Sequence, residues 1–415
     1  MSLDYFSTIK KIFFIGIGGI GISALAKMVS SRGIEVSGVN DEESPKTLNP
    51  LRELGAEIFR LDQVKAELPE ADLYVYSDAW IYREPEILKK ARTTDKPVLS
   101  YFEALGEFAK EYKVIAISGT HGKTTTTAMV AGILVDAGLD PTVIVGSFVK
   151  KFNSNFRPGK SEWFVIEADE YNRHFLNFHP YIGVVTNIEA DHLDYYKDLD
   201  DIKNAFKQFI LQSEIAISDY SKYLDKVPKL SVPGEHNRQN AAAALSVADI
   251  LKIPETLAQK SLAEFSGTWR RLEKRAETKE GTIIYDDYAH HPTEIRASLH
   301  ALRELYPKKK ITIVFQPHLY SRTKALFGDF TLSFGDAEKV LFLPIYFARE
   351  DNDESVSSHK LAQAVRLQGV DAEAMPDFEI TEAYVKTLNL GKNDVFVTMG
   401  AGEAYKVADK VFNLA

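Results

Sequence analysis

Gly119-Thr-His-Gly-Lys-Thr-Thr125 sets two glycines, a lysine and three threonines between an apolar stretch and a helix-forming one. These residue types in this order cradle a triphosphate. Glycines let backbone N–H groups approach phosphate oxygens, and the N-terminus of a following helix adds favourable dipole charge. In this reading Gly119, Thr120, His121, Gly122, Lys123, Thr124 and Thr125 all bind ATP. Lys123 neutralises the β- and γ-phosphates, and the Thr124 hydroxyl is placed for Mg²⁺. Ile117 stands where the common NTPase pattern carries its first glycine, so the loop is a shortened variant. A chance Gly/Thr-rich helix start is the bland alternative, but it leaves the order of strand, loop, Lys-Thr and helix unexplained.

Carboxylates follow downstream. Glu167-Ala-Asp169-Glu170 and Asn187-Ile-Glu-Ala-Asp191-His192-Leu-Asp194 each come after an apolar run. Mg²⁺ takes oxygen ligands and keeps several waters, so Glu167 and Thr124 form a candidate metal pair beside the γ-phosphate. His192 suits Mn²⁺ or a second metal site. Either cluster alone reads equally well as a solvated strand end. Asn237 and Asn240 lie three residues apart in Gly234-Glu-His-Asn-Arg-Gln-Asn240 and share a helix face. They contact a nucleotide base or ribose, or else follow an N-cap as exposed polar residues. Gly16-Ile-Gly18-Gly19-Ile20-Gly21 has the spacing of a dinucleotide-binding turn and, alone, suggests a nicotinamide-dependent oxidoreductase.

The elements that position these residues alternate strand and helix. Lys11–Gly16, Ile34–Val39 and Asp72–Tyr76 read as buried strands around a helix at Ile22–Ser31, a Rossmann-like unit ending near Glu111. Lys113–Ser118, Trp163–Glu167 and Tyr181–Asn187 read as strands of a second sheet, with helices at Thr126–Ala137 and Asn237–Leu251. Ser118, Glu167 and Asn187 then share the carboxyl rim where open parallel sheets bind ligands. Strands at Thr282–Tyr285, Ile311–Phe315, Val340–Leu343 and Val395–Thr398, with a helix at Pro292–Leu305, form a third unit. The expected fold class is α/β with three domains: a Rossmann-like one at 1–111, a central P-loop ATPase domain with a mostly parallel sheet at 112–267, and a Rossmann-like one at 268–415. The 415 residues exceed one ordinary core. A net charge of −9 argues against a nucleic-acid partner, and without cysteine there are neither disulfides nor thiolate metal sites. No secretory pattern or run of about 20 apolar residues is visible, so a cytoplasmic enzyme with no membrane association is expected.

The ordered motifs together resemble the Mur ligases of peptidoglycan synthesis. Within that family, Asp286-Asp287-Tyr-Ala-His290-His291-Pro-Thr-Glu294 and Phe315-Gln-Pro-His318-Leu-Tyr-Ser-Arg322-Thr are similar to the branch that joins L-alanine to UDP-N-acetylmuramate. The resemblance implies a UDP-binding first domain, an ATPase second domain and an amino-acid-binding third domain. It also implies that the sugar's lactyl carboxylate attacks ATP to give an acyl phosphate, which the alanine amine then converts to an amide with release of ADP and phosphate. Lys123, Glu167, His192 and Arg271 match catalytic positions, with Thr124, Glu167 and His192 on metal. Asn237, Asn240, Arg271 and Asp287 match ATP contacts. Gly18, Gly19, Ile20, Asn40 and Ser77 match the UDP-sugar side, with Asp41 the alternative to Asn40. His290, His318 and Arg322 match the amino-acid side, while a packed loop remains open for the His290/His291 pair. Leu319 departs from the arginine common there, and the stretch Leu211–Pro233 is short for the family, which implies lost peripheral strands. Lys207 is either the carbamylated lysine of some relatives or an ordinary solvated lysine. A monomer or homodimer is expected, and a muropeptide-recycling ligase that adds a tripeptide is the nearest alternative.

Overall fold

The structure, a computed structural model, describes residues 8–347 and 350–414. Three sheets follow one another along the chain. In the first, β1 (Lys11–Ile15), β2 (Glu35–Asn40), β3 (Glu57–Arg60), β4 (Leu73–Tyr76) and β5 (Val98–Ser100) lie in the order β3-β2-β1-β4-β5, all parallel. Phe13, Phe14 and Ile15 of β1 are fully buried, as expected of a central parallel strand covered on both faces. The strand order reverses between β1 and β4, the point where such sheets open a crevice for ligands.

The second sheet runs β11-β10-β6-β9-β7-β8. It comprises β6 (Lys113–Ser118), β7 (Thr142–Val149), β8 (Ser154–Arg157), β9 (Trp163–Glu167), β10 (Ile182–Val185) and β11 (Ile215–Ile217). Only the β7/β8 hairpin is antiparallel. The single short strand β11 occupies the edge that the stretch Leu211–Pro233 supplies. The third sheet runs β12-β13-β17-β14-β15-β16. Its strands are β12 (Glu273–Glu277), β13 (Ile283–Asp287), β14 (Lys310–Phe315), β15 (Lys339–Phe342), β16 (Asp371–Ala374) and β17 (Asp394–Met399), with β12 antiparallel at one edge. Its core is rich in interlocking aromatics, with Phe334 and Phe342 both edge-on to Phe315.

By contacts the chain forms two compact units. The first comprises 1–189, 200–228 and 240–265, and the second 190–199, 229–239 and 266–415. The helix expected from Thr126 begins three residues earlier, at Lys123, because Gly122 takes the left-handed conformation (φ 82°) and acts as its N-cap. Lys123 and Thr124 therefore belong to the first helical turn. Lys207 is exposed on the helix Leu199–Gln212. Among the described residues, no helix is long and apolar enough to cross a membrane.

Candidate active site

In the first unit the loop after β6 is clasped by the segment after β10. Thr120 N–H donates to Asn187 O (3.0 Å) and His121 N–H to the Asn187 side-chain oxygen (2.9 Å), while Asn187 Nδ2 returns a bond to His121 O (3.0 Å). The N–H groups of Thr120 and His121 are thus committed to the protein. The N–H groups of the first turn of the helix Lys123–Asp136, which have no intrahelical acceptors, are those suited to phosphate. A Cβ on Gly122 would lie 2.3 Å from Asn240 Oδ1, so the loop passes directly over that carboxamide. Asn240 also accepts from Thr126 Oγ1 (3.2 Å).

Lys123 Nζ donates to Gly119 O (2.6 Å) and Thr120 O (3.1 Å), and pairs with Glu170 Oε2 (2.8 Å). Burial opposes the ammonium, but Glu170 and Asp169 outweigh it and hold the Lys123 pKa above its usual range. Burial pushes the Glu170 carboxyl up to about 7 against the pull of Lys123. Thr124 Oγ1 donates to Glu167 Oε1 (2.9 Å), and Glu167 Oε2 accepts from Gly146 N–H (2.8 Å). A hydroxyl and a carboxylate oxygen meeting beside the phosphate loop fit the oxygen preference of Mg²⁺.

The same unit carries the glycine turn after β1. Gly18 N–H donates to Asn40 Oδ1 (3.0 Å), and a Cβ at Gly18 would fall 2.5 Å from Asn40 Nδ2. Gly19 caps the helix Ile20–Ser31. Asn40, not Asp41, therefore sits under the turn, while Asp41 pairs with Arg83 (2.9 Å). Ser77 follows β4, its N–H bonded to Ile15 O (2.9 Å). Beyond Asn40 opens a cavity of about 530 Å³ whose lining mixes apolar side chains such as Leu48 and Phe59 with charged ones, Arg52 paired with Glu43 (3.0 Å) and Arg60 with Asp62 (3.2 Å).

In the second unit Arg322 donates from Nε (3.1 Å) and Nη2 (3.0 Å) to Asp191 Oδ1, and both residues are buried. Burial would raise the Asp191 carboxyl, but Arg322 holds it well below the usual carboxylate range. Arg322 Nη1 faces His318 Nδ1 (3.1 Å); since arginine only donates, that nitrogen is the acceptor. The His318 ring stacks on Tyr346 and meets His290 edge-on. Burial pushes His290 down to about 4, leaving it neutral, with its Nδ1–H committed to Tyr288 O (3.0 Å). His291 is buried, its Nδ1 accepting from Thr293 N–H (3.2 Å). Asp191, His192, Leu319 and Arg322 line a cavity of about 80 Å³. His192 lies here with a left-handed backbone (φ 54°), its N–H on Asp191 Oδ1 (2.7 Å). Leu319 is likewise left-handed (φ 68°) and buried.

The neighbours Arg270 and Arg271 separate sharply. Arg270 is buried against Asp286 (2.8 Å) and the carbonyls of Gly400 and Gly402, whereas Arg271 lies half-buried over the Tyr288 ring. Asp287 is buried, with Oδ2 bonded to Ser298 Oγ and Oδ1 to Ala289 N–H, and burial raises its carboxyl to about 6. Asn237 ties its amide to Pro233 O (2.6 Å).

Three family models cover the chain in series: Mur ligase family, catalytic domain over residues 11–113, Mur ligase middle domain over 117–226, and Mur ligase, glutamate ligase domain over 270–402. A UDP-N-acetylmuramate–L-alanine ligase of Clostridium acetobutylicum is 39% identical over 459 aligned residues, 99% of each chain. The chain belongs to the Mur ligase family. Among solved structures, UDP-N-acetylmuramate-alanine ligase MurC from Thermotoga maritima superposes with a TM-score of 0.81 at 28% identity, covering 97% of this chain and 98% of that one. A murein peptide ligase from Psychrobacter arcticus gives a TM-score of 0.72 at 21% identity over 97% and 98%, a likeness of fold alone.

In this Mur ligase, sequence reasoning missed Glu170 as the partner of Lys123, Asp191 as the partner of Arg322, and the arginine-edged cavity beside Asn40. Both acids stand within the motifs already singled out. Nothing in those motifs indicates which carboxylate turns to which cation.

Proposed function

We infer that the protein joins L-alanine to the lactyl carboxylate of UDP-N-acetylmuramate at the expense of ATP, releasing ADP and phosphate. The observation that carries the reading is full-length similarity to UDP-N-acetylmuramate–L-alanine ligases, together with the Lys123–Glu170 and Thr124–Glu167 arrangement of the phosphate loop. We take 1–111 as the UDP-sugar domain, 112–267 as the ATP domain and 268–415 as the amino-acid domain.

Attack of a carboxylate on a triphosphate brings anion to anion, so the protein must supply charge neutralisation and alignment. Lys123 exchanges its contact with Glu170 for phosphate oxygens, and the first-turn N–H groups donate hydrogen bonds to the triphosphate while its γ-phosphoryl group passes to the lactyl carboxylate. Thr124 and Glu167 would hold Mg²⁺ and His192 would serve a second ion, and the metal would supply further neutralisation of the triphosphate. Arg271 and Asp287 reach ATP, as do Asn237 and Asn240. Gly18, Gly19, Ile20, Asn40 and Ser77 hold the UDP-sugar, with the cavity edged by Arg52 and Arg60 taking the nucleoside. The second unit offers a zwitterionic amino acid both of its complements: Arg322 for the carboxylate and Asp191 for the ammonium, with His290 and His318 at the wall. The alanine ammonium first gives a proton to solvent, its free amine attacks the acyl carbon, the C–O bond to phosphate breaks with the phosphate carrying off a second amine proton, and an amide remains.

A substrate panel tests this reading. ADP forms with UDP-N-acetylmuramate and L-alanine, and far less with the recycling tripeptide. ADP formation with the tripeptide and none with alanine would overturn it.

A further inference from the structure

His174 lies outside every motif used above, and its surroundings are unusual. Its ring is almost fully buried, stacked 4.0 Å from Phe102 with planes 15° apart and meeting Tyr171 edge-on. Two carboxylates face it. Nε2 is 2.7 Å from Asp78 Oδ2, in the loop after β4, and Nδ1 is 3.7 Å from Asp169 Oδ2, in the segment after β9. Asp78 directly follows Ser77, and Asp169 directly precedes Glu170, the partner of Lys123.

The backbone is bent to deliver this ring. Asn172 (φ 53°) and Arg173 (φ 57°) are successive non-glycine residues in the left-handed region, which interrupts the turn Tyr171–Asn177. Such conformations persist only where surrounding contacts over-determine them, and they concentrate at functional sites. Here the contacts are Arg173 to Asp201 (2.6 Å), Phe175 N–H to Asp169 O (2.8 Å) and Asn177 Nδ2 to His174 O (2.9 Å). We propose that His174 is a positioning residue: a buried cation that ties the sugar-side loop at Asp78 to the ATP-side segment at Asp169, keeping the two in register for transfer. Burial lowers the imidazole pKa, but the two facing carboxylates, Asp169 and Asp78, outweigh it and raise it to about 9, so the tie is charged at neutral pH.

The inference rests on the ligase reading above, and the test separates the two. Wild type, His174→Gln, Asp78→Asn and the double variant are assayed for ADP formation with UDP-N-acetylmuramate and L-alanine. UDP-sugar and a non-hydrolysable ATP analogue are titrated singly by calorimetry. We expect His174→Gln to lower kcat by about tenfold to a hundredfold, as misplacement of reacting groups does, with both single-ligand affinities within threefold of wild type. Asp78→Asn lowers kcat similarly, and the double variant is no worse than the lower single one. The ratio of wild-type to His174→Gln kcat shrinks toward one as pH passes from 8 to above about 9, which a purely structural role would not produce. A kcat within twofold of wild type, or additive losses in the double variant, would overturn the positioning role. Should His174→Gln fail to fold, Asp78→Asn decides by the same kcat criterion. A wild type that forms no ADP would instead overturn the ligase reading.

Discussion

Lys123 is held ready rather than free, since its ammonium bridges two loop carbonyls and the Glu170 carboxylate. A triphosphate offers more negative charge than that single acid, so Lys123→Ala should remove charge stabilisation used mainly in transfer. We expect kcat to fall by about 10²–10³ or more while calorimetric affinity for UDP-N-acetylmuramate stays near normal; activity within tenfold of wild type would refute the role. Arg322 differs because its partner is buried with it. Arg322→Ala leaves Asp191 an uncompensated charge, which costs about 3–5 kcal/mol. Denaturant unfolding should register that loss, along with a raised KM for L-alanine in whatever folds. Lys123 and Glu167 stand out as candidates from motif order, because a phosphate cradle calls for a lysine after the second glycine and an acid at a strand tip, whereas Arg322 was named only through the family resemblance. The partner of Lys123 was not readable in this way. Thr124 and Glu167 were expected together at a metal, but Asp169 and Glu170 look alike along the chain, and only the turn after β9 directs Glu170 to Lys123.

At the scale of elements, the loop and helix around Gly122 act as one device. The residue needs a left-handed backbone, and any Cβ there would strike Asn240. Gly122→Ala should therefore cost about 1–2 kcal/mol for the conformation alone, and the steric shift should displace Lys123. Thermal denaturation is expected to show a modest drop in midpoint, with a much larger drop in kcat; unchanged turnover would mean that the loop is not the phosphate cradle. Long apolar strands such as β1, β6 and β14 were legible because burial on both faces demands unbroken hydrophobic runs. The edge strand β12 was not, since strands with one side open carry polar residues, as in Glu273-Lys-Arg-Ala-Glu277, and β7 was passed over although Thr142–Val149 is mostly apolar and buried at seven of its eight positions. The helix Lys123–Asp136 was placed three residues late because threonine favours caps and its run looked like loop.

Across the whole molecule, buried charges set how stability depends on pH. The folded pKa of His174 is raised from 6.5 to about 9. Its stabilisation is therefore fully present below about pH 6.5 and is lost as pH rises through about 9. The gap in thermal midpoint between wild type and His174→Gln should narrow steadily across that window, and a constant gap would contradict the charged tie. Three successive α/β sheets were foreseeable from the alternation of strand and helix. The contact grouping was not, because 190–199 and 229–239 fall with the last sheet despite lying among residues of the central one. In the proposed reaction ATP activates the sugar-borne carboxylate. The most direct measurement labels the lactyl carboxylate of UDP-N-acetylmuramate with oxygen-18 and follows the phosphate released during ligation by mass spectrometry. Attack by that carboxylate on the γ-phosphorus, followed by cleavage of the acyl C–O bond, transfers one labelled oxygen to each phosphate formed. Unlabelled phosphate alongside normal amide formation would contradict the account.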